Sequence, residues 1–174
     1  VTNGRGRTSK RLREARKAKG QTQLQLSLDT YQSRESVTKQ ENEEFRVQPH
    51  LAKHFTEEFN DPRVAMEAAY EYTGWGSPWL DGAAFDEHRA SVLLQTKREV
   101  QEALDKIDDV NVAKNPNTIA EYERSEIRDL LVESAEAMTF IKQEIAIMCK
   151  DYRFDWMELW NEVNNRLKSR QYIK

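Results

Sequence analysis

The sequence predicts an all-α protein, and three observations carry that reading. Only 6 Gly and 4 Pro interrupt 174 residues, so long helices can run unbroken. Apolar residues recur at three- and four-residue spacings between capping residues. No apolar–polar alternation runs long enough for a strand, and no internal repeat is present. A charged fraction of 33% and a mean hydropathy of -0.88 suit slender helical units better than one thick core.

Taken in order, residues 1–9 (VTNGRGRTS) read as a flexible basic arm. Residues 10–20 form a basic helix with Leu12 and Ala15 inward and Gly20 closing it. Thr22 caps a second helix carrying Leu24, Leu26 and Leu28. A turn spans residues 30–32, and Ser33 caps a third helix, RESVTKQEN, without the acidic partner of a full capping box. Pro49 opens a fourth helix with Leu51, Ala52, Phe55 and Phe59 on one face. Asp61-Pro62 starts a fifth, carrying Val64, Ala65, Ala68, Ala69 and Tyr72.

Residues 73–82 hold half the glycines, one Pro, Trp75 and Trp79, and read as a linker between a module at 10–72 and a helical region at 83–174. A long helix is expected from about Phe85 to Val110, with a break near Thr96, where Thr96-x-x-Glu99 spells a capping box. An Asn-rich turn at 111–117 reverses the chain into a helix over about 118–152. There Ile127, Leu131, Ser134, Met138, Ile141, Ile145, Met148 and Tyr152 are spaced as a heptad seam. The seam serves either an intrachain hairpin with the 85–110 helix or a homodimer, and the dimer is the favoured expectation. Asp155-x-x-Glu158 caps a last helix with Trp156, Leu159, Trp160, Val163 and Leu167 on one face.

Charge is unevenly distributed. Residues 1–54 hold 12 Lys and Arg against 6 Asp and Glu, whereas the other 120 hold 15 against 24. A basic head on an acidic body suits a protein that grips a polyanion at one end. A lone cysteine, Cys149, excludes an intrachain disulfide framework. No apolar run approaches the roughly 18 residues of a membrane span, and no apolar segment follows the basic amino terminus. The expected setting is therefore cytoplasmic.

The residues over 12–42 carry the most specific signal. Leu12-Arg13, Arg16, Gly20, Thr22-Gln23, Leu26-Ser27, Ser33, Val37 and Glu41-Asn42 stand without a gap. This pattern resembles the Cro/CI-type helix-turn-helix of phage repressors and related bacterial regulators, the XRE family. The likeness reaches about residue 60 if the following helix is included. It implies a five-helix lambda-repressor-like domain whose third helix reads the major groove.

By that resemblance Gln23 contacts phosphate and supports the reading helix. Arg34 and Glu35 stand exposed at its front, Thr38 and Lys39 lie one turn later, and Asn42 contacts phosphate beyond it. Arg16 and Glu41 match a partly buried ion pair joining the first and third helices, and Val37 matches a core position. The expected DNA-facing set is Gln23, Ser33, Arg34, Glu35, Thr38, Lys39 and Asn42, with Arg5, Arg7, Lys10 and Arg11 adding salt-sensitive phosphate attraction. Five positions depart from the pattern, and one of them is Leu28, which falls where the family is usually solvent-exposed. Tyr31 and Glu43 stand where it has glycine, so Tyr31 needs either positive φ or a remodelled turn. Thr30 and Gln32 replace apolar core residues. Glu43 and Glu44 bring negative charge near the expected DNA backbone.

Other candidates are weaker. Tyr72, Trp75 and Trp79 either line a ligand pocket or pin a connecting loop, the commoner use of such aromatics. His50 and His54 have metal-ligand spacing but no third ligand nearby. No nucleophile–base set, P-loop or dinucleotide fingerprint is present, so no enzyme activity and no cofactor are expected. The helical second half is also unlike the β-rich self-cleaving region of some repressors of the family.

The expectation is a sequence-specific DNA-binding regulator of a prophage or mobile element, a repressor that occludes its promoter as a homodimer. Its dimer would form along Ile127, Leu131, Met138, Ile141, Ile145 and Met148. Two alternatives stay open. One is an adaptor with a degenerate DNA-binding module, binding another regulator or RNA polymerase through its acidic region. The other is a regulator sensing a ligand or peptide.

Overall fold

A computed structural model describes residues 6–174, and among them the only regular structure is α-helix. The helices are α1 (Arg7–Ala18), α2 (Gln23–Asp29), α3 (Arg34–Glu41), α4 (Pro49–Phe59), α5 (Pro62–Thr73), α6 (Arg89–Asp109), α7 (Glu121–Tyr152) and α8 (Trp156–Ser169). None is long and apolar enough to cross a membrane. The chain forms two compact units. One comprises the residues up to Trp79 together with Tyr152–Lys174, and the other is Leu80–Asp151.

The first unit is built around one core. Leu12 and Ala15 of α1, Leu26 of α2, Val37 of α3, Val47, Leu51 and Phe55 of the α4 region, and Val64 and Ala68 of α5 are all buried together. These are the apolar positions that the helical spacing places on single faces. Local chemistry sets the helix ends. Thr22 and Gln25 form a reciprocal capping box on α2, and the Ser33 hydroxyl accepts from the Ser36 amide on α3. Asp61 caps α5, with Pro62 in its first turn.

Two expectations are corrected in this unit. The arm does not extend to residue 9: α1 begins at Arg7, and Thr8 and Ser9 are buried. The last helix does not stay with the second half of the chain. Asn60, itself left-handed at the end of α4, donates to the Phe154 carbonyl at 2.7 Å and accepts from the Trp156 amide at 2.8 Å. One side-chain amide thus fastens the start of α8 to the end of α4.

The second unit is an antiparallel helical hairpin preceded by the segment from Leu80. Arg89 lies 3.7 Å from Asp151, the Thr96 hydroxyl donates to the Phe140 carbonyl at 3.4 Å, and the Phe85 ring packs at a tilt against Phe140. The buried Gln143 amide donates to the Leu80 carbonyl at 2.8 Å and accepts from its amide at 2.7 Å, mimicking a strand partner for that one residue. Helix α6 runs through Thr96 without the expected break. Thr96 and Glu99 are buried in the hairpin, so the sequence that spells a cap is used for close packing. Helix α7 turns Ala137, Phe140 and Ile147 inward. The heptad seam lies elsewhere on α7: Leu131 and Met138 are 64% and 51% exposed, while Ile127, Ile145 and Met148 are half-buried.

Candidate nucleic-acid interface

Helices α2 and α3 are joined by residues 30–33, and the joint is held by polar groups where an apolar core was expected. The Thr30 hydroxyl donates to the Leu26 carbonyl at 2.6 Å. The Gln32 side-chain oxygen accepts from the Ser36 hydroxyl at 3.0 Å and from the fully buried Gln40 amide at 2.7 Å. Gln40 in turn accepts from the Gln48 backbone amide at 2.7 Å. Because each buried polar atom here has a partner, the substitution of apolar residues by Thr30 and Gln32 carries no unsatisfied cost. Gln40 was not singled out from sequence. A glutamine inside a short helix reads as solvent-facing, and only the neighbouring Gln32 and Gln48 hinted at a shared amide network.

The turn itself keeps a glycine-like backbone. Tyr31 has φ 53°, and Glu43 after α3 has φ 67°. Both therefore sit in the left-handed region that glycine occupies without cost. Tyr31 is 98% exposed, so its ring contributes no burial. Tyr31→Gly is expected to raise stability by roughly 0.5–1 kcal/mol, by removing a Cβ from a left-handed residue. A thermal melt would register an increase of a few degrees; an unchanged or lower midpoint would count against the left-handed turn. The Glu43 carboxylate lies at the start of α1, where a Cβ on Gly6 would fall 2.7 Å from its Oε2.

A second network ties α3 to α1 and α2. Glu41 is buried, and its carboxylate accepts from Arg16 Nε, from Arg16 Nη2 at 2.9 Å and from Gln23 Nε2 at 2.9 Å. Arg16 also donates to the Gln21 carbonyl at 2.7 Å. Burial pushes the Glu41 carboxyl upward, but the hydrogen bonds from Arg16 and Gln23 and the charges of Arg16 and Arg13 outweigh it, so the group titrates below the ordinary glutamate range. The hydrogen bond to Glu41 correspondingly raises the Arg16 guanidinium. Arg13 adds a clasp, donating to the Glu41 carbonyl at 2.7 Å and to Asn42 Oδ1 at 2.9 Å. The sequence pattern contains Arg13, but its role in orienting Asn42 emerges only from the fold.

The expected DNA-facing residues fall into two groups. Gln23 and Thr38 face each other, with the Thr38 hydroxyl 3.1 Å from Gln23 Oε1. Gln23 is therefore committed through both side-chain ends to α3, and Ser33 is committed to its cap. Asn42 has its oxygen occupied by Arg13, leaving its amide as the outward donor. Glu35 and Lys39 form an ion pair at 2.7 Å, and Lys39 lies 5.2 Å over the Phe45 ring. That pairing lowers the Glu35 carboxyl and raises the Lys39 ammonium, the shared hydrogen bond being the main cause. Arg34, the first residue of α3, is exposed, and no described residue pairs with its guanidinium.

The basic residues of the amino terminus also divide. Arg7 is drawn inward. Its guanidinium donates to the buried Glu67 carboxylate at 2.9–3.2 Å and to the Trp79 carbonyl at 2.6 Å. It is a structural clamp between α1 and α5, which corrects its expected place at the phosphates. Arg11 pairs with Glu14 one turn on, Lys10 is exposed, and Arg5 lies outside the described residues. The aromatic residues near the linker are dispersed. Trp79 is buried with Arg63 stacked 4.4 Å over it, Tyr72 donates to the Val47 carbonyl at 2.7 Å, and Trp75 is exposed. Trp79 pins the segment after α5, and Tyr72 ties α5 to the loop before α4. His54 packs edge-on against Phe55 and Phe59, and no described group of three or more His, Cys, Asp or Glu is placed to hold a metal ion.

No protein-family model, no curated protein and no solved structure matches this chain.

Proposed function

We propose that the protein is a sequence-specific DNA-binding transcriptional regulator of the Cro/CI kind, with α3 as its reading helix. It acts as a repressor encoded by a prophage or mobile element, occluding a promoter as a dimer. The observation that carries this reading is the backbone at Tyr31 and Glu43. Both are left-handed non-glycine residues at the two positions where the helix-turn-helix pattern has glycine. A left-handed backbone at both positions supports the reading, because it is the conformation those glycines serve in the pattern.

The side chains agree with that role. Gln23, Thr38, Arg16 and Glu41 fix the reading helix, and Arg34 is left at its front as a donor fork for a base edge. The test is selection of bound fragments from a genomic DNA pool, followed by a salt-titrated mobility shift on the best fragment. A sequence-specific regulator discriminates that fragment from random DNA by about 1000-fold or more at physiological salt. Equal, weak binding to both would remove the reading.

One observation favours an adaptor instead. Leu24 and Leu28, one turn apart on α2, are exposed beside the exposed Tyr31. Apolar side chains on that face suit a protein partner better than a phosphate backbone. In that case the selection yields no enriched sequence, and Leu28→Arg abolishes partner capture without altering DNA binding.

A further inference from the structure

The Leu80–Asp151 hairpin has two broad faces of different chemistry. On α6 the residues turned to α7 are Val92, Thr96, Glu99 and Ala103, all buried. At about 100° per residue, Leu93, Val100, Leu104 and Ile107 then project to one side, about a quarter turn from that seam. On α7 the inward residues are Ala137, Phe140 and Ile147. Ile141 projects about a quarter turn from them, and Met138 and Leu131 lie further round in the same rotational sense, toward the outer surface. Because the two helices are antiparallel, rotations in the same sense turn both stripes toward the same side of the hairpin.

The exposures agree. Leu93, Leu104 and Ile107 on α6 and Leu131, Met138 and Ile141 on α7 are all exposed large apolar residues. The opposite side carries Gln95, Glu102 and Lys106 of α6, and the exposed large apolar residues Leu94 of α6 and Val132 of α7 lie off the two stripes. Between the helices themselves, Thr96, Ala103 and Ala137 are buried along with Val92 and Ile147, while Leu93, Leu104, Ile107, Leu131, Met138 and Ile141 stay outside that seam.

We propose that a second copy of this chain covers that face, the two hairpins closing into a four-helix bundle. Area favours this occupant. The 21 residues of α6 span about 31 Å, and a two-helix layer is about 20 Å wide. The face therefore offers about 600 Å² per copy and about 1,200 Å² in the pair, the threshold of a stable specific interface. Its character argues against nucleic acid: Lys97 is the one cation within the α6 stripe, and neither stripe has the cationic spacing a phosphate backbone needs. Two such layers packed face to face bury their large side chains as antiparallel bundles do. The arrangement gives the α7 heptad its use and adds the α6 stripe as the other half of the same surface. It rests on the dimeric reading above only for its purpose at DNA; the surface itself follows from the hairpin.

The test is sedimentation equilibrium of the full chain without DNA, which separates this proposal from the DNA-binding one. The wild type is expected to be a dimer at micromolar concentration. Leu131→Arg and Leu104→Arg are each expected to weaken dimerisation at least 100-fold. Val132→Arg, one residue along and on the opposite face, is expected to leave the dimer intact. All three positions are exposed, so circular dichroism of the variants should retain wild-type helicity. A monomer at tens of micromolar overturns the proposal, and so does a dimer that tolerates Leu131→Arg. If an arginine variant loses helicity, cross-linking between copies at Met138→Cys decides: ready formation supports the shared face, and none overturns it.

Discussion

Replacing Glu41 by alanine is expected to destabilise the first unit by roughly 3–5 kcal/mol, the cost of leaving a buried charge without its partner. The Glu41 side chain is 1% exposed and the Arg16 side chain 10%. Its removal strands the Arg16 guanidinium and the Gln23 amide together. Against a total stability of about 5–15 kcal/mol for a domain, that is enough to unfold a substantial part of the population near body temperature. Glutamine should rescue little, because its amide would present donors to groups that are themselves donors.

The pH dependence follows from the depressed titration of Glu41. A carboxyl that titrates lower in the folded than in the unfolded chain contributes stability that is fully present above the unfolded value, about 4.3. That stability is lost as pH falls through the folded value. Urea unfolding should therefore show a wide gap between wild type and Glu41→Ala at pH 7, narrowing below about pH 4 as the wild-type carboxylate takes up its proton. A gap under about 1 kcal/mol at pH 7, or one that does not change with acid, would show that the pair does not hold α1 against α3.

How much of this was legible beforehand varies along the chain for physical reasons. Much of the core of the first unit follows from spacing: Leu12, Leu51, Phe55 and Val64 are apolar residues at helical intervals, and all are buried. Val37 is a core position by the resemblance, and spacing does not separate the buried Leu26 from Leu24 and Leu28, which are exposed. The Arg16–Glu41 pair was also readable, because charged residues at those motif positions imply a partner. The turn was readable only as a question. A tyrosine in a left-handed turn contradicts its own propensity, and the surrounding Thr30, Gln32 and Gln40 amides and hydroxyls settle it by a network that no single residue announces.

Arg7 misled for a different reason. A cation near the amino terminus resembles an arm residue until the buried Glu67, sixty positions away, is placed beside it. Thr96-x-x-Glu99 misled because a capping box and a close-packed hairpin seam call for the same small and polar residues. The association of α8 with α4 depends on Asn60, whose left-handed conformation and paired hydrogen bonds have no one-dimensional signature.

The DNA-binding reading makes its sharpest demand on Arg34. Among the polar residues of α3, Glu35 and Lys39 hold each other, Thr38 holds Gln23, and Gln40 and Glu41 are buried. Arg34 alone combines exposure, position at the leading end and a planar donor fork that suits guanine O6 and N7. A bidentate contact of that kind discriminates by about 1–3 kcal/mol, so Arg34→Ala should reduce affinity for the selected fragment by roughly 10- to 100-fold. Thermal stability and binding to random DNA should stay nearly constant. Arg34→Lys should fail to restore the preference, since an ammonium cannot make the paired contact. Lys39→Ala is a useful contrast. Its ammonium is already engaged by Glu35 and Phe45, and any phosphate attraction it supplies is independent of sequence. It should weaken specific and random DNA binding alike, and lower the salt slope by about one at most. Unchanged discrimination in Arg34→Ala, with the fold intact, would place base reading elsewhere and leave the α3 proposal without its central contact.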